Sequence, residues 1–232
     1  MSDIMTSILY YGLPFVGLII TSIAQLMITT NYSKYKKVEA TNRQRGCDVA
    51  RRILDKHGLN NIPVEEVAGN LTDHYDPTKK VVRLSSDIYS GASIASVSVA
   101  AHECGHAIQD KVGYTPMRIR SSLVPIVNFS TKIGYIVIVI GLAAGALKIA
   151  TIGLILLLSM LLFQLVTLPV EFDASRRGKI ELDELHILST SEQKGSAKML
   201  RAAAFTYVAS VLSTLAQILR LAIQIAAGRE RR

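Results

Sequence analysis

The chain has 232 residues, half of them hydrophobic and none tryptophan, with 26 Lys and Arg against 18 Asp and Glu for a net charge of +8. A charged share of 19% is below the roughly 25% of soluble domains, which excludes an ordinary soluble globule and points to a membrane protein. The basic excess gathers beside apolar runs, so contact with membrane lipid accounts for it and no nucleic acid is needed.

The first element is an uncharged apolar run from Ile8 to Thr30. About 20 residues cross a bilayer, so residues 1–30 read as an N-terminal transmembrane helix. The start MSDIMTS lacks the basic stretch of a cleaved signal, and the run is too long for a signal core. Lys34, Lys36, Lys37, Arg43, Arg45, Arg51 and Arg52 crowd the next segment.

Residues 31–120 form the first part of a polar domain. Its two cysteines, Cys47 and Cys104, exclude a disulfide framework. VARRILDKHG ends a helix at His57, where an imidazole favours the helix dipole. Asp76-Pro77 signals a turn, and the β-prone run Val81, Val82, Arg83, Leu84, Ser85 follows. That run reads as an edge strand on which an extended substrate could pair. His74 and Tyr75 beside it are either orienting or oxyanion-binding groups, or simply stabilise the turn.

A proline-free helix is expected from Ile94 to Lys111, and it carries His102-Glu103-Cys104-Gly105-His106. Residues i and i+4 share a helix face, so His102 and His106 can grip one metal ion with Glu103 beside it. This is the H-E-x-x-H arrangement of zinc hydrolases, mostly peptidases. Cys104 lies about 200° around the helix from His102 and should pack away from the metal.

From Ile133 to Val170 the only charge is Lys148. One straight helix of that length would extend about 57 Å, nearly twice the hydrocarbon thickness. Residues 121–170 therefore read as a transmembrane hairpin turning near Gly145-Ala146-Leu147-Lys148, with Pro169 ending its second arm. Lys111, Arg118, Arg120, Arg176, Arg177 and Lys179 flank the hairpin, and its tip has only Lys148. Positive-inside reasoning puts the N-terminus outside and both polar segments on the cytoplasmic side of the cell membrane.

A catalytic zinc takes three protein ligands and keeps a fourth position for water. The third ligand is sought in residues 171–199. Glu171 opens a helix after Pro169, and an even number of crossings returns it to the side of His102 and His106. Asp173 is the rival ligand. His57, His74 and His186 are weaker ones, His186 because it sits in a solvated acidic stretch. Residues 200–232 form a last helix and a basic tail. Thr206, Ser210, Ser213, Gln217, Arg220 and Gln224 make one polar stripe along it. This helix either spans with the stripe turned into the bundle or lies amphipathic at the interface, and the tail Arg229-Glu230-Arg231-Arg232 argues against a span.

The run DHYDPTKKVVRLSSDIYSGASIASVSVAAHECGHAIQ (Asp73–Gln109), the hairpin and LPVEFDASRR (Leu168–Arg177) resemble the YugP-type bacterial membrane zinc metallopeptidase family across almost the whole chain. The order of parts is similar to HtpX/Ste24-type peptidases. The resemblance implies a mainly α membrane protein of three or four transmembrane or interfacial helices with a zincin-like H-E-x-x-H domain. It implies one Zn2+ per chain on His102, His106 and Glu171, with Glu103 as general base. Those relatives carry an aspartate four residues after the ligand glutamate; this chain has Ser175 there, and Asp173 is the substitute.

The expected function is an endopeptidase acting on peptide, unfolded or membrane protein substrates. Glu103 would take a proton from metal-bound water and deliver it to the leaving amine. Asp173, Arg176 and His74 are orienting or oxyanion-binding candidates, with Arg177, His186 and Tyr207 further possibilities. Two alternatives stand beside this reading. An intramembrane protease would need the histidine helix inside the bilayer, and its polar flanks leave too short an apolar run. A non-enzymatic protein with a structural zinc or an assembly role would not depend on Glu103.

Overall fold

The computed structural model describes residues 3–230. In chain order the elements are α1 (Asp3–Lys36), α2 (Gly46–Lys56), β1 (Val64–Val67), β2 (His74–Asp76), β3 (Val81–Ser85), α3 (Ser86–Tyr89), α4 (Ile94–Lys111), α5 (Thr115–Ala143), α6 (Leu147–Glu184) and α7 (Thr190–Glu230). Among the described residues, four helices are long and apolar enough to cross a membrane: Tyr10–Lys36, Thr115–Ala143, Leu147–Glu184 and Thr190–Gly228. The chain divides into two compact units, one of Met1–Gln25, Ile119–Leu168 and Thr206–Arg232, the other of Leu26–Arg118 and Pro169–Phe205.

The first unit is purely helical, and its apolar side chains face outward. Phe15 and Leu18 on α1, Phe129 and Val139 on α5, Ile152 and Ile155 on α6, and Leu219 on α7 are exposed, as suits a surface solvated by lipid tails. Small residues bring its backbones together. A Cβ on Gly153 would lie 2.7 Å from the Gly134 carbonyl oxygen, and one on Gly141 2.4 Å from the Ala150 nitrogen. Close approach through small residues is how helices associate where water supplies no drive. The hairpin turns at Ala144–Ala146, where Gly145 takes φ 66°. The polar stripe of α7 meets its neighbours in this unit. Ser213 is the closest neighbour of Gly17, the Gln217 amide reaches the Tyr135 hydroxyl at 3.3 Å, and Arg220 lies 5.1 Å from the Tyr10 ring centre. The stripe thus touches its neighbours while Ser210 and Gln217 stay exposed, and the helix that carries it is long and apolar enough to cross a membrane.

The second unit mixes helices with a three-stranded sheet of order β1-β3-β2. Strand β3 pairs parallel with β1 and antiparallel with β2. Asp76 accepts hydrogen bonds from the backbone N–H of Thr78 and Lys79 at 3.0 Å each, the local turn that returns the chain into β3. Helix α4 starts at Ser93, whose hydroxyl accepts from the Ser96 N–H at 3.1 Å. It then runs through the core against Val49, Ala50, Ile53 and Leu54 of α2.

Two boundaries differ from the sequence expectation. Helix α5 begins at Thr115, with Pro116 in its first turn, where the missing N–H costs nothing. Pro169 ends nothing: α6 continues through it to Glu184. A proline inside a helix removes one hydrogen bond and costs about 3 kcal/mol. Here the continuing turns are buried, with Val170 and Ala174 fully enclosed, and that packing offsets the loss.

Helices α4 and α6 touch at backbone distance. A Cβ on Gly105 would stand 2.4 Å from the Ala174 carbonyl oxygen, and one on Gly178 would stand 2.7 Å from the Ala101 carbonyl oxygen. The residue numbers run in opposite senses, so the pair is antiparallel, with each helix offering a glycine to the other's alanine. We predict that Gly105→Ala and Gly178→Ala each destabilise the detergent-solubilised protein by about 1–3 kcal/mol through overpacking. Gly12→Ala, in a helix with nothing within 4 Å, should raise stability by up to about 1 kcal/mol. Unfolding midpoints of the three variants check this; an unchanged midpoint for both core variants would contradict the close contact.

Candidate metal centre

The two glycine contacts place one face of α4 against one face of α6. The His102 and His106 rings stack edge to face with centres 4.8 Å apart. The Glu171 carboxylate reaches across from α6, its Oε2 3.3 Å from His102 Nε2 and 3.6 Å from His106 Nε2. One ligand atom from each residue lies within 4.8 Å of the others. His106 and Glu171 are buried and His102 half-buried.

A tetrahedral ion with bonds of about 2.0–2.1 Å separates neighbouring ligand atoms by about 3.3 Å. The nitrogen–oxygen spacings match that figure. Two imidazoles and a carboxylate are also a donor set that zinc accepts. Among the described residues no fourth His, Cys, Asp or Glu joins the group.

Both imidazoles are held from behind. His106 Nδ1 meets the Gln109 side-chain oxygen at 3.0 Å, and the Gln109 amide nitrogen donates to the Val170 carbonyl at 2.8 Å and to Asp173 Oδ2 at 3.0 Å. Those two partners are acceptors only, so the NH2 must face them and the oxygen must face His106. His106 therefore donates from Nδ1 and keeps the Nε2 lone pair for a metal. Gln109 is fully buried, which makes this orientation costly to change. His102 Nδ1 meets Ser175 Oγ at 3.1 Å. Ser175 thus sits where an orienting partner is needed, one turn beyond Glu171 on the same face of α6.

Asp173, the rival ligand, is not in the cluster. Its carboxylate accepts from Gln109 and pairs with Arg176 and with Arg177, the latter at 2.6 Å. It acts on the site through Gln109. Arg176 and Arg177 are engaged by that carboxylate. His57 bonds to Glu181 at 2.8 Å, at the C-terminus of α2 as expected. His74 is exposed, with Nδ1 on the Thr72 carbonyl at 2.7 Å, and stays outside the cluster. His186 is exposed too, with φ 51°, and outside it. Tyr207 belongs to the other compact unit. Cys104 is fully buried with its thiol toward the Ala50 carbonyl at 3.6 Å, and burial pushes its ionisation well above the thiol range.

Glu103 is buried beside the cluster, and its Oε2 accepts the backbone N–H of Tyr75 at 3.0 Å. Burial pushes its pKa up to about 7. The neighbouring His102 and the Tyr75 N–H pull it down, while the charges of Glu171 and Asp73 add to the rise. Asp73 itself is held by the Ser85 N–H at 2.7 Å and hydroxyl at 3.0 Å. Tyr75 also anchors the far end of α4, its hydroxyl donating to Asp110 at 2.6 Å.

The strand expectation needs correcting. Val81, Val82, Arg83, Leu84 and Ser85 form β3, the central strand, with β1 on one side and β2 on the other. Its backbone groups are taken, so it offers no open edge. The strand beside Glu103 is β2. Tyr75 gives its N–H to Glu103 and not to β3, so the outward backbone of β2 faces α4. Gln109 was also not anticipated from sequence, although its place three residues after His106 on one helix face was a signal that could have found it.

No solved structure matches the chain significantly. Over 207 residues, 89% of this chain and 92% of the relative, it is 44% identical to a Bacillus subtilis (strain 168) protein described as "Putative membrane protease YugP". Residues 10–226 match the model of a family described as "Putative neutral zinc metallopeptidase". Those residues include the whole of α4, the hairpin and the cluster on α6, and on that match the chain belongs to the neutral zinc metallopeptidase family.

Proposed function

We propose that the chain is an integral membrane endopeptidase that holds one zinc ion on His102, His106 and Glu171 and uses Glu103 as general base. The observation that carries this reading is the pairing of an open three-ligand cluster with a buried carboxylate on the adjacent residue. A structural zinc site is normally closed by four protein ligands, so the three-residue set favours catalysis over the structural alternative. Bound there, zinc would lower the pKa of a coordinated water towards about 7 and polarise a carbonyl oxygen.

The chain's own groups do the rest. Gln109 and Ser175 hold the imidazoles with Nε2 presented to the ion. Glu103, whose ionised form is accessible near pH 7, accepts the proton of the attacking water as the carboxylate and returns it to the leaving amine. An extended substrate segment lies along β2, the edge strand beside Glu103, whose Tyr75 N–H that carboxylate already holds, so shape and main-chain contacts matter more than sequence. Peptides and unfolded or membrane proteins are the substrates this suits. The basic segments around α1, α5 and α6 support a site on the cytoplasmic side of the cell membrane.

Glu103→Gln should keep its zinc and lose cleavage of an unfolded protein substrate by about 10²–10⁴-fold. Zinc content and turnover are measured on the same preparation, and turnover that survives the change would refute the assigned base.

Burying Glu103 makes a second prediction, for the metal-free protein. Its folded pKa of about 7 lies above the unfolded value of 4.5, so folding favours the proton. The penalty is absent below pH 4.5, grows between 4.5 and 7, and is full above 7. Metal-free Glu103→Gln should therefore gain stability over wild type as pH rises from 5 to 8, by something on the order of 3 kcal/mol. Unfolding of both proteins across that range checks the sign; a constant difference would contradict the burial of this charge.

Gln109→Leu should lower zinc affinity by about 10–100-fold, as loss of an orienting partner does elsewhere. Competition with a chelator reads this directly, and an unchanged affinity would remove Gln109 from the site.

A further inference from the structure

The second compact unit neutralises many of its cations internally. Lys36 pairs with Asp87, Arg51 with Asp55, Lys56 with Glu181 and Glu184, Lys80 with Asp110, and Arg83 with Glu65 and Asp76. Lys34 on α1 and Lys194, Lys198 and Arg201 on α7 break that pattern. All four are exposed, and among the described residues none has an ion pair. Positions 194, 198 and 201 follow the i, i+4, i+7 spacing of a single helix face.

Two of these cations, Lys194 and Lys198, line one groove. Gly195 lets α7 press onto Tyr35 of α1, since a Cβ there would stand 2.6 Å from the tyrosine ring. Lys34 lies 5.5 Å from the centre of that ring. The groove, about 330 Å3 in volume, is lined by apolar Val38 and Ile94, by Tyr35, and from α7 by Glu192, Lys194 and Lys198. Glu192 is committed elsewhere. One oxygen accepts from the Thr41 N–H and hydroxyl, and the other caps α7 through the Ser189 N–H and hydroxyl. Two ammonium groups therefore line the groove against one occupied carboxylate, and that of Lys34 stands beside the Tyr35 ring.

The level of the groove decides the occupant. Lys34 lies one turn beyond Thr30, where the apolar run of α1 ends, and Arg201, Lys198 and Lys194 precede Ala202, where that of α7 begins. At 1.5 Å per residue this is a band of about 12 Å beside the hydrocarbon, the level of phospholipid headgroups. Leu26 and Met27, exposed earlier on α1, offer an apolar path for acyl chains. We infer that the groove between the ends of these helices binds an anionic glycerophospholipid, its phosphate among Lys34, Lys194 and Lys198. The site depends on membrane insertion and not on the peptidase chemistry, so it can fail or stand without that reading.

The test is native mass spectrometry of the full-length chain in micelles containing equal phosphatidylglycerol and phosphatidylcholine of matched acyl chains. Wild type should retain phosphatidylglycerol preferentially. Lys194→Gln/Lys198→Gln should reduce that preference by about thirtyfold, from roughly 1 kcal/mol per lysine near an anionic surface. Lys79→Gln/Lys179→Gln removes the same charge at exposed positions that also have no ion pair among the described residues, and should leave the preference intact. An unchanged preference in the groove variant would overturn the site, and so would equal losses in both variants, which would reduce the effect to net charge.

Discussion

The structure depends on a backbone-to-backbone contact between two helices that are distant in sequence. Gly105 receives the Ala174 carbonyl and Gly178 receives the Ala101 carbonyl. No side chain separates the helices there, so His102 and His106 on one side come within ligand distance of Glu171 on the other. Gly105, inside the histidine motif, leaves a gap on the face of α4. That gap is filled by α6.

That closeness buries charge, and the surroundings decide which charges survive. Glu171 is enclosed but faces two imidazoles, the arrangement under which a buried carboxylate stays ionised. Glu103 is enclosed with one backbone N–H and the charges of Glu171 and Asp73 nearby, so its proton is held up to about 7. Two buried carboxylates that feel each other's charge are thereby driven to different protonation behaviour, the condition under which one can ligate while the other transfers protons. Burial also fixes the imidazoles: Gln109 has two obligatory acceptors on one side and a single way to face His106.

The histidine-bearing helix was legible because its signals are local. A cap at Ser93, an unbroken apolar pattern and histidines four apart define α4 without reference to the rest of the chain. The hairpin was legible from length alone. The helix through Pro169 was not, because propensity argues for a stop and only the tertiary burial of Val170 and Ala174 overrides it. Strand β3 was visible as a β-prone run, but its central position depends on pairing with β1, whose partner residues lie eighteen positions earlier. The roles of Gln109 and Ser175 come from contacts across two helices, which a single sequence does not display.

The central claim is that residues from two helices, His102, His106 and Glu171, hold one zinc ion. Zinc-edge X-ray absorption on the full-length protein in detergent tests it most directly, together with metal content. The account predicts about one zinc per chain with nitrogen and oxygen ligands near 2.0–2.2 Å, and loss of that metal in Glu171→Ala. A sulfur shell near 2.3 Å, or full zinc occupancy in Glu171→Ala, would contradict it.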